Sequence, residues 1–303
     1  MGKILYFDCF AGISGDMTLG ALLDLGIDKE AFLEEIKKIN VDGFKIELGR
    51  AEKNGIGAVD VDVDVVIEGD EGGHHHHDHG HAHENCHGHE HGHKHCHSHE
   101  DGHEAIHHHE EWCGHEHKHN HDHDHHHGHV HRNLFDVNKI IDESSISDKA
   151  KELAKKIFMR VAEAEAKVHG KSLEEVHFHE VGALDSIVDI IGTAILIDMI
   201  NPDEIYASVV NDGYGFIECQ HGQIPVPVPA TAEIFSSSNV VSRQIDIDTE
   251  LVTPTGAAII AELAESYGPA PVMNILKTGY GAGKKNIKIP NVLRVMLGER
   301  HEG

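Results

Sequence analysis

The sequence predicts an α/β fold with a mixed sheet and flanking helices, interrupted by a long disordered insertion rich in histidine. Strand-length apolar runs alternate with segments whose apolar residues recur every three or four positions, as in amphipathic helices. The chain opens with a strand, a glycine-bearing turn and a helix. A low-complexity tract at residues 71–132 separates residues 1–70 from residues 133–303. Because a long surface insertion adds little to the cost of loop closure, we expect both flanks to build one α/β domain.

Three strands and two helices are predicted before the tract. In chain order they are a strand at Lys3–Phe10, helices at Met17–Leu25 and Lys29–Ile39, and strands at Phe44–Leu48 and Ala58–Ile67. Gly26 follows the first helix as a stop signal. The last of these strands alternates valine with aspartate, and this period of two indicates one buried and one solvated face.

Three helices and three strands are predicted after the tract. They are helices from Ser147 to Val168, from Leu184 to Met199 and from Thr253 to Tyr267, and strands at Ile205–Val209, Gly215–Glu218 and Asn291–Leu297. Ser147 and Thr253 are typical N-caps, and Pro254 suits the first helical position. Since proline cannot donate a backbone hydrogen bond, the proline-alternating segment Ile224–Pro229 is predicted as an edge strand or an extended loop.

The tract carries 28 of the 33 histidines, mostly as His-x-His alternation mixed with acidic residues and glycine. Neutral imidazole binds nickel, zinc, copper and cobalt, so the tract predicts metal binding without selecting the metal. Its few apolar residues cannot offset its ordering entropy, and we expect disorder without metal. A solvated linker with incidental metal affinity is the alternative. The candidate ligands are His74, His75, His76, His77, His79, His81, His83, His87, His89, His91, His93, His95, His97, His99, His123, His125, His126 and His127.

Composition narrows the class of protein. The formal charge of −27 is incompatible with a general basic surface for nucleic acid. The five cysteines include no C-x-x-C pair, which indicates free thiols in a reducing compartment. The most apolar stretch, residues 187–200, contains Asp189 and Asp198, and the N-terminus is not typical of a signal peptide. We therefore expect a cytoplasmic protein with neither nucleic acid nor a membrane as partner.

The segment His177-Phe-His179-Glu180 is the sharpest motif outside the tract. On an extended chain, residues two apart project to one side, so both imidazoles could reach one ion. Asp185 and Asp189 follow at a spacing of four and share one face of the predicted helix. Two imidazoles with carboxylates suit nickel, zinc, manganese or iron. The alternative is that these side chains cap the helix within a polar core.

A second candidate site is the opening turn, where helix N-terminal amides exposed by glycines could bind an anion such as phosphate. The alternative is an ordinary α/β turn, since the Lys of a phosphate-binding loop is missing, and no base can be assigned to Cys9 as a nucleophile. Polar residues at the ends of later elements could form pocket walls. The candidates for binding substrate or phosphate are Asp8, Gly12, Ser14, Gly15, Asp16, His221, Thr253 and Thr255.

The glycine-rich segment Gly279-Tyr-Gly281-Ala-Gly283-Lys284-Lys285 is a weaker candidate. Its glycines could let a phosphate approach the backbone, with the lysines supplying positive charge. Its spacing does not fit the Walker A pattern. A tight turn with solvated lysines is the simpler interpretation.

These motifs resemble a known family, the LarC-type nickel insertion proteins, which complete the nickel-pincer nucleotide cofactor of lactate racemase. The matching segments run from Phe7 to Met17, from His177 to Asp189, from Gly213 to Gly215, from His221 to Thr231 and from Thr253 to Ala257. An internal histidine-rich stretch also occurs in the family. Because several long segments occur in the same order, the resemblance is specific.

The resemblance implies nickel insertion into a pyridinium bisthiocarboxylic acid mononucleotide, driven by CTP hydrolysis with manganese or magnesium assisting. Family members commonly continue into a C-terminal domain credited with binding CTP and the divalent ion, whereas this sequence stops at Gly303. A separately translated C-terminal partner would then supply that domain. We also expect a homo-oligomer.

The leading hypothesis is a nickel insertion enzyme whose tract collects nickel and whose folded part passes it to a nucleotide substrate. His177, His179 and Glu180 would be transfer ligands or proton acceptors, supported by Asp185 and Asp189. A nickel or zinc storage protein or metallochaperone without catalysis is the second hypothesis. A metallohydrolase built on the same cluster is the third.

Overall fold

The computed structural model describes residues 2–65, 132–178, 184–219 and 222–301, except for the side chains of Val65 and His177. The predicted metal ligands of the tract lie outside these residues, as do His179, Glu180 and His221. The predicted domain boundaries at residues 70 and 132 therefore stay a prediction.

The described residues form an α/β fold in which strands from both flanks join one sheet. The helices are α1 Gly15–Asp24, α2 Lys29–Lys37, α3 Leu134–Glu143, α4 Asp148–His169, α5 Leu184–Ile200, α6 Pro229–Ser237 and α7 Pro254–Leu263. The strands are β1 Lys3–Asp8, β2 Phe44–Lys53, β3 Ile56–Val65, β4 Arg132–Asn133, β5 His177–Phe178, β6 Glu204–Ala207, β7 Val210–Asp212, β8 Phe216–Cys219, β9 Gly222–Pro225, β10 Ser242–Gln244, β11 Ser266–Tyr267, β12 Met273–Ala282 and β13 Val292–Arg300. None of the described helices is long and apolar enough to cross a membrane.

The main sheet has seven strands in the order β11-β6-β1-β13-β12-β3-β2. Strand β6 pairs parallel to β1 and β11, and β12 pairs parallel to β3. Strand β13 runs antiparallel to its neighbours β1 and β12, and β2 runs antiparallel to β3. The predicted mixed sheet with flanking helices is confirmed, and its parallel strands end at one common edge.

Helix α5 is the centre of the helical layer. Twelve of its residues are buried, and it packs against α1, α2, α4 and α7. A helix with so many buried apolar residues is stable only when other elements surround it. The sheet side of this core is formed by alternate strand residues such as Phe7 and Val295.

Gly279 and Gly281 serve helix packing rather than a phosphate cradle. A Cβ at Gly279 would lie 2.1 Å from the Ala21 carbonyl oxygen, and one at Gly281 would lie 1.9 Å from the Met17 carbonyl oxygen. Helix α1 therefore lies directly on the backbone of β12. This close approach also places the start of α1 near the end of β12.

Two predicted elements end earlier than expected. Pro229 begins α6 rather than ending an extended segment, because proline at the first helical turn needs no amide donor. The preceding residues Gly222–Pro225 pair with β8 as a hairpin. Helix α7 ends at Leu263 instead of Tyr267, since Ser266 and Tyr267 pair with β6. Further elements, among them α3, α6, β4, β7, β10 and β12, were not predicted, and α3 begins with an Asn133–Asp136 capping box.

Candidate functional site

A pocket of about 360 Å³ lies beyond the carboxyl ends of β3 and β12. Ligands of α/β proteins bind preferentially outside the carboxyl ends of parallel strands. Seven residues predicted to be functional line this pocket: Ser14, Gly15, Asp16, Asp185, Asp189, Thr253 and Thr255. They come from the starts of α1, α5 and α7. The fold thus gathers three motifs that are far apart in sequence.

The opening turn is held against the segment that precedes α7. Gly12 has φ +87°, and a Cβ there would lie 2.0 Å from the Leu251 carbonyl oxygen, so only glycine suits this position. The Ile13 amide donates to that same oxygen at 3.0 Å, and the Thr253 amide donates to the Ile13 carbonyl at 3.2 Å. These bonds place Ser14 beside the N-terminus of α7.

Asp212 supports this arrangement through hydrogen bonds to the backbone. No motif in the sequence had indicated this residue. Its Oδ1 accepts hydrogen bonds from the amides of Gly213 at 2.8 Å, Leu251 at 2.8 Å and Val252 at 3.1 Å. The side chain is 1% exposed, and burial raises its pKa despite these three donors. Asp212 therefore fixes the backbone that leads into Thr253.

Helices α1 and α5 touch at Gly15 and Asp189. A Cβ on Gly15 would lie 2.2 Å from Asp189 Oδ2 and 2.5 Å from Asp189 Cβ. No side chain fits between them, so Gly15 allows the carboxylate of Asp189 to lie against the first turn of α1. The predicted neighbourhood of Asp185 and Asp189 on one helix face is confirmed, since both line the pocket.

Asp16 is bound to its own helix start. Its Oδ1 accepts hydrogen bonds from the Ser14 hydroxyl and, at 2.8 Å, from the Met17 amide. Burial raises the pKa of Asp16, while the Ser14 bond and the charge of Lys284 oppose that rise. An acidic residue in a first helical turn is also stabilised by the helix dipole.

Asp189 is the least satisfied carboxylate of the pocket. Its Oδ1 is buried and has no hydrogen-bond partner among the described residues. Burial raises its pKa well above the usual value, and the charges of Asp16 and Asp185 add to the rise. Burial also raises the pKa of Asp185, whose Oδ1 accepts from the Ser186 amide at 2.8 Å. Asp189 is therefore suited to hold a proton or to meet a cation.

Lys284 is the only cationic side chain among the described residues that line the pocket. Its Nζ donates to Asp60 Oδ1 at 2.6 Å and lies 2.7 Å from Asp62 Oδ1. Burial opposes its charge, but the hydrogen bonds to these two aspartates raise its pKa. The only sequence signal for Lys284 was its place at the end of the glycine-rich segment.

Thr255 presents a free hydroxyl to the pocket. The residue is 6% exposed, and its hydroxyl forms no hydrogen bond within the described parts of the chain. Thr253, by contrast, is the predicted N-cap, and its Oγ1 accepts from the Gly256 amide at 3.1 Å. Thr255 thus has a donor available for a bound group, whereas Thr253 is committed to its helix.

Other predicted site residues lie elsewhere. Asp8 pairs with Arg294, whose Nε is 3.0 Å from Asp8 Oδ2, on the sheet face opposite to the core residue Phe7. The backbone of His177 pairs with Asn133, but its side chain is outside the described residues. Cys9 is fully buried and burial raises the pKa of its thiol, as expected of a structural cysteine rather than a nucleophile.

The described residues alone do not build a metal site, because no group of three or more metal-ligating side chains among them could hold an ion. What they do build is an acidic pocket with unsatisfied oxygen atoms. It can stabilise positive charge and accept protons, and Thr255 and Lys284 can donate to an anionic group.

The sequence model of a family described as "Nickel insertion protein" matches residues 5–303. The chain is 47% identical over 300 residues to the pyridinium-3,5-bisthiocarboxylic acid mononucleotide nickel insertion protein of Acetivibrio thermocellus, an alignment that covers 99% of this chain and 61% of that protein. It is 46% identical over 298 residues to the protein of the same name from Clostridium acetobutylicum, covering 98% and 64%. The chain thus spans about three fifths of the length of these curated relatives. No solved structure matches it.

Proposed function

Because the chain belongs to the nickel insertion protein family, we propose that it takes part in inserting nickel into pyridinium-3,5-bisthiocarboxylic acid mononucleotide. The observation that carries this proposal is the pocket at the carboxyl ends of β3 and β12, where Asp16, Asp185 and Asp189 converge. The relatives that carry this name are longer than the chain, so the nickel insertion activity of a full-length protein is proposed for this chain and not taken over from them.

The chemistry of insertion requires loosely held nickel. Thiocarboxylate sulfur is a softer ligand than carboxylate oxygen and is the better partner for nickel once substrate is bound. An open set of oxygen ligands would release the ion, whereas a closed set would retain it. Asp189, whose pKa is raised by burial, would accept the proton of any substrate atom that exchanges its bond to hydrogen for a bond to nickel. His177, His179 and Glu180, which precede α5, remain the proposed transfer ligands.

The tract is proposed to collect nickel for this pocket. Val61 and Val63 of β3 line the pocket, and the chain leaves the described residues just beyond them. Where it returns, Arg132 and Asn133 pair with His177 and Phe178 of β5. One described end that flanks the tract therefore lies at the pocket, and the other lies beside His177, one of the proposed transfer ligands. A reservoir tethered at these ends would raise the local concentration of its ion.

The finer parts of the proposal come from the family resemblance. The product would be the nickel-pincer cofactor of lactate racemase, and insertion would depend on CTP with manganese or magnesium. A C-terminal partner domain would bind CTP, consistent with the greater length of the relatives. A homo-oligomer in the cytoplasm remains our expectation.

The direct test is nickel incorporation into the substrate by the purified chain, with and without a C-terminal partner and CTP. Asp189→Asn should lower the rate of incorporation at least tenfold, because it removes a proton acceptor. Asp198→Asn, at the other end of α5, is the matched control and should retain the rate. Equal rates for both variants would contradict the role of the pocket.

Storage of nickel or zinc is the second candidate, and the composition of the tract favours it. Deletion of residues 73–131 separates the two functions. A storage protein would lose its bound metal and with it any role. An insertion enzyme would keep its activity when nickel is plentiful and lose it only when nickel is scarce.

A further inference from the structure

We propose that the pocket binds its substrates in order, a divalent cation first and the anionic nucleotide second. This inference rests on the proposed function, because it takes its ligands from the insertion reaction. It concerns the electrostatics of the pocket and assigns Asp189 as the residue that sets the order.

The first observation is the excess of negative charge. Five of the described residues that line the pocket are carboxylates, namely Asp16, Asp62, Asp185, Asp189 and Glu250, and one is an ammonium group, Lys284. Lys284 offsets this charge only in part, because its Nζ is shared with Asp60 and Asp62 at 2.6 Å and 2.7 Å. An empty pocket therefore repels anions.

The second observation is independent of charge. Asp189 Oδ1 is buried without a hydrogen-bond partner, and the hydroxyl of Thr255, a residue only 6% exposed, also has none among the described residues. Buried polar groups are nearly always paired, and an unpaired one is costly. The Asp189 oxygen is such a group, and the free Thr255 hydroxyl lies on the same pocket wall, so a bound ligand would complete both.

The substrate named by the relatives is rich in negative charge. It carries two thiocarboxylates and a phosphate, against one positive pyridinium nitrogen. Its entry beside Asp16 and Asp189 is opposed until a cation offsets those carboxylates. The cation must remain exchangeable, because it has to pass to the sulfur atoms of the substrate.

Thermodynamic linkage makes the order measurable. If the cation favours the nucleotide, the nucleotide favours the cation by the same factor. Removing one carboxylate should imitate the cation, so the variant should bind the nucleotide better than the wild type in the absence of metal. If Asp189 instead only formed a favourable contact with the nucleotide, the variant should bind the nucleotide more weakly than the wild type.

The test uses the oxygen analogue of the substrate, in which both thiocarboxylates are carboxylates. Its dissociation constant is measured by calorimetry with and without Mg²⁺, an ion that prefers oxygen ligands and is poorly bound by the imidazoles of the tract. The binding of Mg²⁺ to the free analogue is measured separately and subtracted. For the wild type, we expect saturating Mg²⁺ to tighten binding about tenfold, a moderate coupling between two sites.

Asp189→Asn should bind the analogue several-fold more tightly than the wild type without Mg²⁺ and should gain less from the ion. Asp16→Asn should behave in the same way, and Asp198→Asn should match the wild type. Thermal unfolding establishes that each variant is folded, and the second pocket variant keeps the test valid if one is not.

Two results would overturn the inference: no effect of Mg²⁺ on the wild type, or an equal effect on the wild type and on Asp189→Asn. Either result would leave nickel incorporation by the wild type intact as support for the proposed function. Conversely, the expected coupling without any nickel incorporation would uphold the ordered binding of these ligands and reject the proposed function.

Discussion

Gly15→Ala tests the contact on which the pocket depends. The added Cβ would lie 2.2 Å from Asp189 Oδ2, 2.5 Å from its Cβ and 2.6 Å from its Cγ. Ordinary contacts between such atoms are about 3.5 Å or more, so about 1 Å of movement is required. A change of rotamer at Asp189 moves the oxygen but leaves its Cβ, which is attached to the buried helix α5, in place.

The expected cost of Gly15→Ala is about 1–3 kcal/mol of unfolding free energy from overpacking. The higher helix propensity of alanine offsets at most about 1 kcal/mol of this. The melting temperature should fall by several degrees, at about 2–4 °C per kcal/mol for a domain of this size. Thermal and urea unfolding measure both quantities, and nickel incorporation should fall with the displacement of Asp189.

Gly57→Ala is the matched control, because nothing lies within 4 Å of a Cβ at that position. It should leave stability unchanged or slightly higher. Adding Asp189→Ala to Gly15→Ala should not restore stability, since alanine keeps the Cβ that lies 2.5 Å away. A Gly15→Ala protein as stable and active as the wild type would refute the described contact of α1 with α5.

Three further predictions concern single carboxylates and their partner. Burial raises the folded pKa of Asp189, so its ionisation destabilises the fold as pH rises from about 3.8 through the raised value. The free energy of urea unfolding of Asp189→Asn should therefore increase relative to that of the wild type over this pH range. A difference in free energy that stays constant with pH would contradict the pKa shift. Lys284→Met removes a cation that favours ionised Asp16, so the pH profile of nickel incorporation should move to higher pH, whereas Lys288→Met, which removes a cation paired with Asp246 outside the pocket wall, should leave it unchanged. Asp212→Ala leaves three amides without their acceptor and should cost about 2–4 kcal/mol, measured by urea unfolding; a loss below 0.5 kcal/mol would mean that other groups hold residues 251–252.

Most of the helices and strands that could be predicted from the sequence depend on interactions between residues close together in the chain. Ser147 and Thr253 accept hydrogen bonds from the amides three residues on, as N-caps do. The valine–aspartate alternation of β3 buries Val59 and Val61 and leaves Asp62 exposed. The errors occurred where pairing partners far away in sequence decided the outcome, as at Tyr267, which joins β6 rather than extending α7.

The residues of the candidate site also divide into those indicated by local motifs and those placed by partners far away in sequence. Asp16, Asp185 and Thr255 could be selected from sequence because carboxylates and hydroxyls at helix starts are recognisable motifs. Asp8 has an equally suggestive position at a strand end, yet it pairs with Arg294 on the other face of the sheet. Asp212 carries no motif that identifies it, and Lys284 was indicated only by its place after the glycine-rich segment. Their roles arise from partners 39 and 224 residues away.

The sequence by itself determined the class of fold, the capped helices, the histidine-rich composition of the tract and the family, because each depends on the local order of residues along the chain. Only the tertiary structure decided which motifs share a pocket and in what electrostatic state. The pKa of Asp189 depends on its burial and on Asp16 in another helix. Distances between segments remote in sequence, such as the contact of Gly15 with Asp189, exist only once the chain has folded.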